Sequence, residues 1–206
     1  MAKFNRVGMV RRLFPAMVLS IVSACAQAPG EPATPLPAGN DRVKAEYDKA
    51  GKLEKLEYDR DNNGKPDTWG YMNGTRVVRV EVDRNGDGQV DRWEFHNSEG
   101  VLTPPPAPEG AVDPSLERIE EATRFDGTVS RWEFFEKGML ARTEEDTDGN
   151  GTLDKWETYV NGALSVLALD TSGRGTPDRR FIYRNGSMDH IETDPTGNGT
   201  FEPVKP

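Results

Sequence analysis

From Arg76 to Val82 the chain reads Arg-Val-Val-Arg-Val-Glu-Val, so that Val78, Val80 and Val82 alternate with Val77, Arg79 and Glu81. A period of two is the mark of a half-buried strand and not of a helix. Aromatic runs of similar length recur along the chain: Trp69-Gly70-Tyr71, Trp93-Glu94-Phe95, Trp132-Glu133-Phe134 and Trp156-Glu157-Thr158. Between strand-like runs stand Asn73-Gly74, Asn161-Gly162 and Asn185-Gly186. Asn-Gly in this setting is the strongest short-range hairpin signal, because a type I′ turn needs positive φ at both central residues. The pattern predicts an all-β fold, a repetitive antiparallel β-hairpin meander of about ten short strands running from near Val43 to near Thr193. The pattern leaves open whether such a sheet stays open, curls or becomes solenoid-like.

The elements repeat. Asp59, Asp83, Asp146, Asp170 and Asp194 each open a polar, Gly-containing segment, and steps of 24 residues separate Asp59 from Asp83, Asp146 from Asp170 and Asp170 from Asp194. A degraded copy begins near Ala122, and a Pro-rich insertion over residues 103–114, with Pro104, Pro105, Pro106 and Pro108, interrupts the period. Strict alternation puts the Asn-Gly turns along one end of the sheet and the Asp-rich loops along the other. A basic residue stands four before the loop opening (Lys55, Arg79, Arg118, Arg142) and a Glu two before it (Glu57, Glu81, Glu120, Glu144, Glu192). These share one strand face, where they can pair across strands or remain solvated.

Composition sharpens the need for this repeat. Leu, Ile, Val and Phe account for 40 of 206 residues, and the net charge is −9. A chain so poor in aliphatic side chains cannot build a large core, and without the repeat it would read as disordered. Stacked neighbouring units make the thin composition tolerable. The acidic balance argues against nucleic acid as a partner.

The acids fall at positions that suit a cation. A calcium loop of the EF-hand type supplies oxygen ligands from positions 1, 3, 5, 7, 9 and 12, with Gly at 6. The loop at Asp83 offers Asp83, Asn85, Asp87, the Gln89 carbonyl, Asp91 and Glu94, with Gly88 at the sixth place. The loop at Asp146 offers Asp146, Asp148, Asn150, the Thr152 carbonyl, Asp154 and Glu157, with Gly151 at the sixth. Each twelve-residue loop thus resembles an EF-hand loop, and the resemblance implies calcium as the cofactor. It stops at the loops, because strand-like runs stand where an EF-hand has helices. The loop at Asp59 keeps Asp59, Asp61, Asn63, the Lys65 carbonyl and Asp67 but has Gly70 at position 12. The Asp194 loop keeps Asp194, Thr196, Asn198, Gly199 and Glu202. The loops at Asp170 and Ala122 carry Arg174 and Arg124 at ligand positions and are expected to be metal-free turns.

The N-terminus carries an address. Four basic residues (Lys3, Arg6, Arg11, Arg12) precede an apolar stretch from Leu13 to Ala24, too short to span a bilayer as a helix, which fits a secretory signal. Val22-Ser23-Ala24-Cys25 resembles the lipobox of bacterial lipoproteins. The resemblance implies cleavage after residue 24, lipidation of Cys25, a membrane attachment through that lipid and, with Ala26 following, the outer-membrane sorting pattern. Cys25 is the single Cys of the chain, so no intramolecular disulfide competes for it. Residues 25–40 then form a Pro- and Ala-rich linker ahead of a repeat domain over 41–206.

No zinc spacing, phosphate-binding loop or nucleophile elbow is present, so the expectation is a non-enzyme. Two roles remain. One is a structural or adhesive envelope protein with calcium-binding repeats. The other is a module that binds an envelope polysaccharide through the row Trp69, Trp93, Trp132 and Trp156, or docks an envelope protein.

Overall fold

The computed structural model describes residues 41–97 and 111–205. The signal segment, Cys25, the linker to residue 40 and the insertion up to residue 110 lie outside the described residues. What is described is one open antiparallel sheet of thirteen strands in sequence order. β1 (Val43–Tyr47), β2 (Leu53–Tyr58), β3 (Thr68–Asn73) and β4 (Arg76–Val82) precede β5 (Arg92–His96), after which the insertion intervenes. β6 (Leu116–Glu121), β7 (Arg131–Glu136), β8 (Met139–Glu145) and β9 (Lys155–Val160) continue the meander. β10 (Ala163–Leu169), β11 (Arg179–Arg184), β12 (Ser187–Thr193) and the two-residue β13 (Glu202–Pro203) complete it. Twelve strands already lie between Val43 and Thr193, against about ten expected, and the Asp194 loop returns a thirteenth.

The hairpin turns follow the sequence with one shift. Asn161 and Gly162 have φ of 51° and 76°, and Asn185 and Gly186 have 51° and 77°, as a type I′ turn requires. At Asn73-Gly74 only Gly74 is left-handed, and Asn73 instead pairs with Arg76 as the last residue of β3. Gly74 and Thr75 are then the two turn residues, with Gly first as in a type II′ turn. A register shift recurs in every turn-side hairpin, for example between Tyr71 and Met72 and between Phe134 and Phe135. Each such bulge adds local right-handed twist.

Little of this sheet is dry. Among the described residues only Leu116, Ile119, Ala122 and Ala168 are buried apolar side chains, whereas seven aspartates are buried. On one face, Glu57, Trp69, Glu81, Trp93, Glu120, Trp132, Glu144 and Trp156 stand opposite one another across β2 to β9. The next row toward the turns alternates basic and aromatic side chains. Arg79 stacks over Tyr71 at 4.2 Å from the ring centre, Arg118 over Phe95 at 4.3 Å and Arg142 over Phe134 at 3.6 Å. The same arginines pair with the Glu two residues on, Arg79 with Glu81, Arg118 with Glu120 and Arg142 with Glu144. These half-exposed pairs contribute roughly 0.2–1 kcal/mol each. The larger effect is that their stems and rings cover a face that has few aliphatic side chains to cover it.

The opposite face is organised by charge in its middle and by apolar side chains at its flanks. Arg92, Glu121, Arg131, Glu145 and Lys155 stand in cross-strand sequence. Arg131 reaches Glu145 at 2.8 Å and Glu133 at 3.0 Å, and Lys155 reaches Glu145 at 3.2 Å. Leu56 and Val80 flank this band on one side, Leu167, Phe181 and Ile191 on the other.

Candidate metal-binding loop edge

All six loops lie along one edge, since each joins an even-numbered strand to the following odd one. Two hydrogen bonds recur along the line of loops. The amide at position 9 bonds the carbonyl just before the loop, as Asp91 does to Val82 at 2.9 Å and Asp154 to Glu145 at 3.0 Å. The amide at position 1 bonds the carbonyl at position 9 of the preceding loop, as Asp83 does to Asp67, Ala122 to Asp91, Asp146 to Ser130 and Asp170 to Asp154, all at 2.8 Å, and Asp194 to Asp178 at 2.9 Å. The loops are thus chained to one another through their backbones.

Within a loop the aspartate at position 1 caps the backbone. Asp83 accepts from the amides of Gly86 and Gly88 at 2.7 Å each. Asp146 accepts from Gly149 at 2.7 Å and Gly151 at 2.9 Å, and Asp194 from Gly197 and Gly199 at 2.7 Å each. This cage requires left-handed backbone at positions 4 and 6, supplied by Gly86 and Gly88 at φ 76° and 92°. The fourth position is the residue that the EF-hand template passes over. Its signal in the sequence is a second glycine two before the invariant one, with Asn62 standing in at φ 61° in the Asp59 loop.

The side chain at position 9 turns back to the loop's start. Asp67 accepts from the Arg60 amide and Asp91 from the Arg84 amide, both at 2.9 Å, and Asp154 and Asp178 accept from the amides of Thr147 and Thr171. In the degraded copy Ser130 Oγ takes this place and accepts from the Thr123 amide at 3.1 Å. Positions 3 and 5 are also tied. Asn63 donates to Asp61, Asn150 to Asp148 and Asn85 to Asp87, and the amides of Lys65, Gln89 and Thr152 donate to the side chain two residues before them.

Two loops bring three carboxylates together. Oxygens of Asp59, Asp61 and Asp67 lie within 4.8 Å of one another, as do those of Asp146, Asp148 and Asp154, so that each group can hold a metal ion. The Asp83 loop carries as many carboxylates, Asp83, Asp87 and Asp91, but has the amide Asn85 at position 3. Glu94 and Glu157 stand apart from these groups. The position-9 residue ends the loop and a strand begins, and three residues of strand span about 10 Å. Glu157 accepts instead from Thr143 Oγ at 2.8 Å and from the Tyr159 hydroxyl at 3.1 Å, and Glu94 accepts from Arg92 at 2.9 Å. Burial, together with the Glu157 carboxylate beside it, pushes the Tyr159 hydroxyl up to about 12.

Four of the position-1 carboxyls are set to be charged. Burial works to raise Asp59, Asp146, Asp170 and Asp194, but donated backbone amides outweigh it and hold all four below the usual range. At Asp146 the Arg124 guanidinium adds to this. Arg124 lies in its own loop near Asp126, at 3.7 Å, and reaches across to the next one, 3.8 Å from the Asp146 carboxylate and 3.1 Å from its carbonyl oxygen. Arg174 likewise pairs with Asp178 at 3.9 Å and extends to the Asp194 carbonyl at 3.5 Å.

Fold and edge together define a β-repeat protein with a line of carboxylate-rich loops. No protein-family model matches the chain, and no curated protein matches it. Among solved structures, the crystal structure of accessory secretory proteins 1, 2 and 3 of Streptococcus pneumoniae is similar over 59 % of this chain and 19 % of that chain, at 14 % identity and a TM-score of 0.36. The chain thus spans about a fifth of the length of that protein, and the likeness is too slight to bear on function.

Proposed function

We propose that this chain is a lipid-anchored protein of the bacterial cell envelope whose β-meander is completed by calcium held along its loop edge, in a structural or adhesive role. The observation that carries the reading is the convergence of position 1, 3 and 9 carboxylates at Asp59 and at Asp146, repeated in phase along one edge. All-oxygen sites of this charge suit a hard cation, and exported modules hold calcium with dissociation constants of about 10⁻⁴ to 10⁻³ M. The ligand set is Asp59, Asp61, Asn63, the Lys65 carbonyl and Asp67 in one loop, Asp83, Asn85, Asp87, the Gln89 carbonyl and Asp91 in the next, and Asp146, Asp148, Asn150, the Thr152 carbonyl and Asp154 in a third. Calorimetric titration of the full chain with calcium should show saturable heat in the millimolar range, and a flat trace there refutes the reading.

The anchor rests on the lipobox residues Val22 to Cys25. Cells fed labelled palmitate should incorporate label into the wild-type chain and not into Cys25→Ser, which should also leave the membrane fraction. Equal labelling of the two chains removes the anchor from the proposal.

A second reading has its own observation. The four tryptophans stand in one row on one face, and each is half-buried and therefore not shielded. Arg118, Glu120, Trp132, Phe134, Glu144 and Leu153 line a shallow depression there. Aromatic faces of this kind can stack on sugar rings. If envelope oligosaccharides change tryptophan emission in the wild type but not in Trp132→Ala, the polysaccharide reading gains; emission indifferent to every envelope glycan removes it.

A further inference from the structure

We infer that the Asp83 loop is the first of the loops to take up calcium, and that its neighbours carry their own competitors for the ion. The inference rests on the calcium reading and adds an order of filling to it. It starts from a misfit. Asp91 is fully buried, yet among the described residues its Oδ1 has no hydrogen-bond partner, while Oδ2 accepts the Arg84 amide at 2.9 Å. A buried carboxylate oxygen left bare is costly, and a cation in the loop relieves that cost.

In the sister loops both oxygens of the position-9 aspartate are engaged, and a hydroxyl takes part each time. Thr68 Oγ donates to Asp67 Oδ1 at 2.8 Å, Thr147 Oγ to Asp154 Oδ2 at 2.8 Å and Thr171 Oγ to Asp178 Oδ1 at 2.8 Å. An ion entering those loops has to displace a hydroxyl or share its lone pair. The Asp83 loop has Arg84 where the later loops have Thr147 and Thr171, and Arg92 where the first has Thr68. Arg84 and Arg92 turn away from the loop's carboxylates, both to Glu121, at 3.1 and 2.5 Å.

Charge separates the loops in the same direction. Arg60 stands 3.9 Å from Asp67, Arg124 3.8 Å from Asp146 and Arg174 3.9 Å from Asp178. Among the described residues no such ion pair forms on Asp83, Asp87 or Asp91. Each of the Asp59, Asp83 and Asp146 loops offers three carboxylates, so the count of ligand charges does not distinguish them, although without an ion only those of the Asp59 and Asp146 loops lie within 4.8 Å of one another. What distinguishes them, among the described residues, is the resident hydroxyl and a guanidinium within 4 Å of a carboxylate: at the Asp83 loop no hydroxyl caps Asp91, and the Arg60 guanidinium reaches only the Arg84 carbonyl, at 3.3 Å.

Calcium calorimetry on the full chain and its variants tests the order. Arg84→Thr places in this loop the residue that the Asp146 and Asp170 loops already fold with, so it should give a folded chain. Its hydroxyl should cap Asp91 Oδ1 and weaken the tightest class of sites by about tenfold. Asp91→Asn should abolish that class, and Asp154→Asn should leave it untouched. Thr147→Val, which strips the competitor from the Asp146 loop, should tighten a weaker class. If calcium binds but Asp154→Asn removes the tightest class while Arg84→Thr and Asp91→Asn spare it, the order is overturned and the calcium reading stands. If no variant and no wild-type chain binds calcium, both fall together.

Discussion

Saturating calcium should raise the melting temperature of the full chain by roughly 8–16 °C, and Asp83→Ala combined with Asp146→Ala should cancel most of that rise. The size follows from linkage. An ion at tenfold excess over its dissociation constant stabilises the folded state by about 1.4 kcal/mol per site, hence about 4 kcal/mol for three loops. In a chain of this length each kcal/mol moves the midpoint by about 2–4 °C. The diagnostic quantity is the increment between calcium and chelator, not the midpoint itself. Asp83 and Asp146 each cap two or more backbone amides, so their loss also lowers the metal-free midpoint. Asp→Asn at the same positions keeps an acceptor oxygen while removing charge, and should lose the increment with less damage to the metal-free fold. An increment that survives both double variants would falsify the assignment of these loops.

The second large effect is expected far from the carboxylates. Gly138→Ala should lower stability by about 2–4 kcal/mol, two or three times the cost of Gly186→Ala. Both glycines have φ of 77° in equivalent turns, so both substitutions strain the backbone alike. Around Gly186 there is open space, whereas a Cβ on Gly138 would come 2.6 Å from the Asp113 carbonyl oxygen and 2.9 Å from the Pro114 nitrogen. The end of the insertion is seated there, with the Val112 amide donating to the Gly138 carbonyl at 3.0 Å. Backbone cannot yield as a side-chain tip can. Denaturant unfolding of the two variants measures the difference, and equal losses would show that the contact carries no stability.

Much of this architecture was legible because its signals are local. Period-two runs and Asn-Gly pairs specify hairpins without reference to the rest of the chain, and the 24-residue spacing specifies their order. What escaped the sequence depends on register and on neighbours. Asn73-Gly74 resembles Asn161-Gly162, yet the strand runs one residue further and turns on Gly74 and Thr75. The acids at positions 12, Glu94 and Glu157, fit a template in which a helix folds them back, and a strand carries them away instead. The loop cage was half visible: the sixth-position glycine was expected, while the left-handed fourth position was not. Arg124 and Arg174 mark their own loops as metal-free turns in the sequence, and the structure shows each also reaching the loop after it. No single-loop reading contains that, because the partner lies 20 or more residues on.

The backbone bonds that chain each loop to the one before it have a consequence for how such a protein can change. Along that edge every loop opening is held to the close of its predecessor, so a loop of different length would break the line on both sides. Among the described residues the opposite edge has no such repeated line, and the seat of Val112 on Gly138 is a local contact there. It is at that edge, between β5 and β6, that this chain carries its Pro-rich excursion. Growth in length is therefore confined to one margin of the sheet, and growth in number to whole 24-residue units, which a duplication can insert by parting a single strand–strand interface.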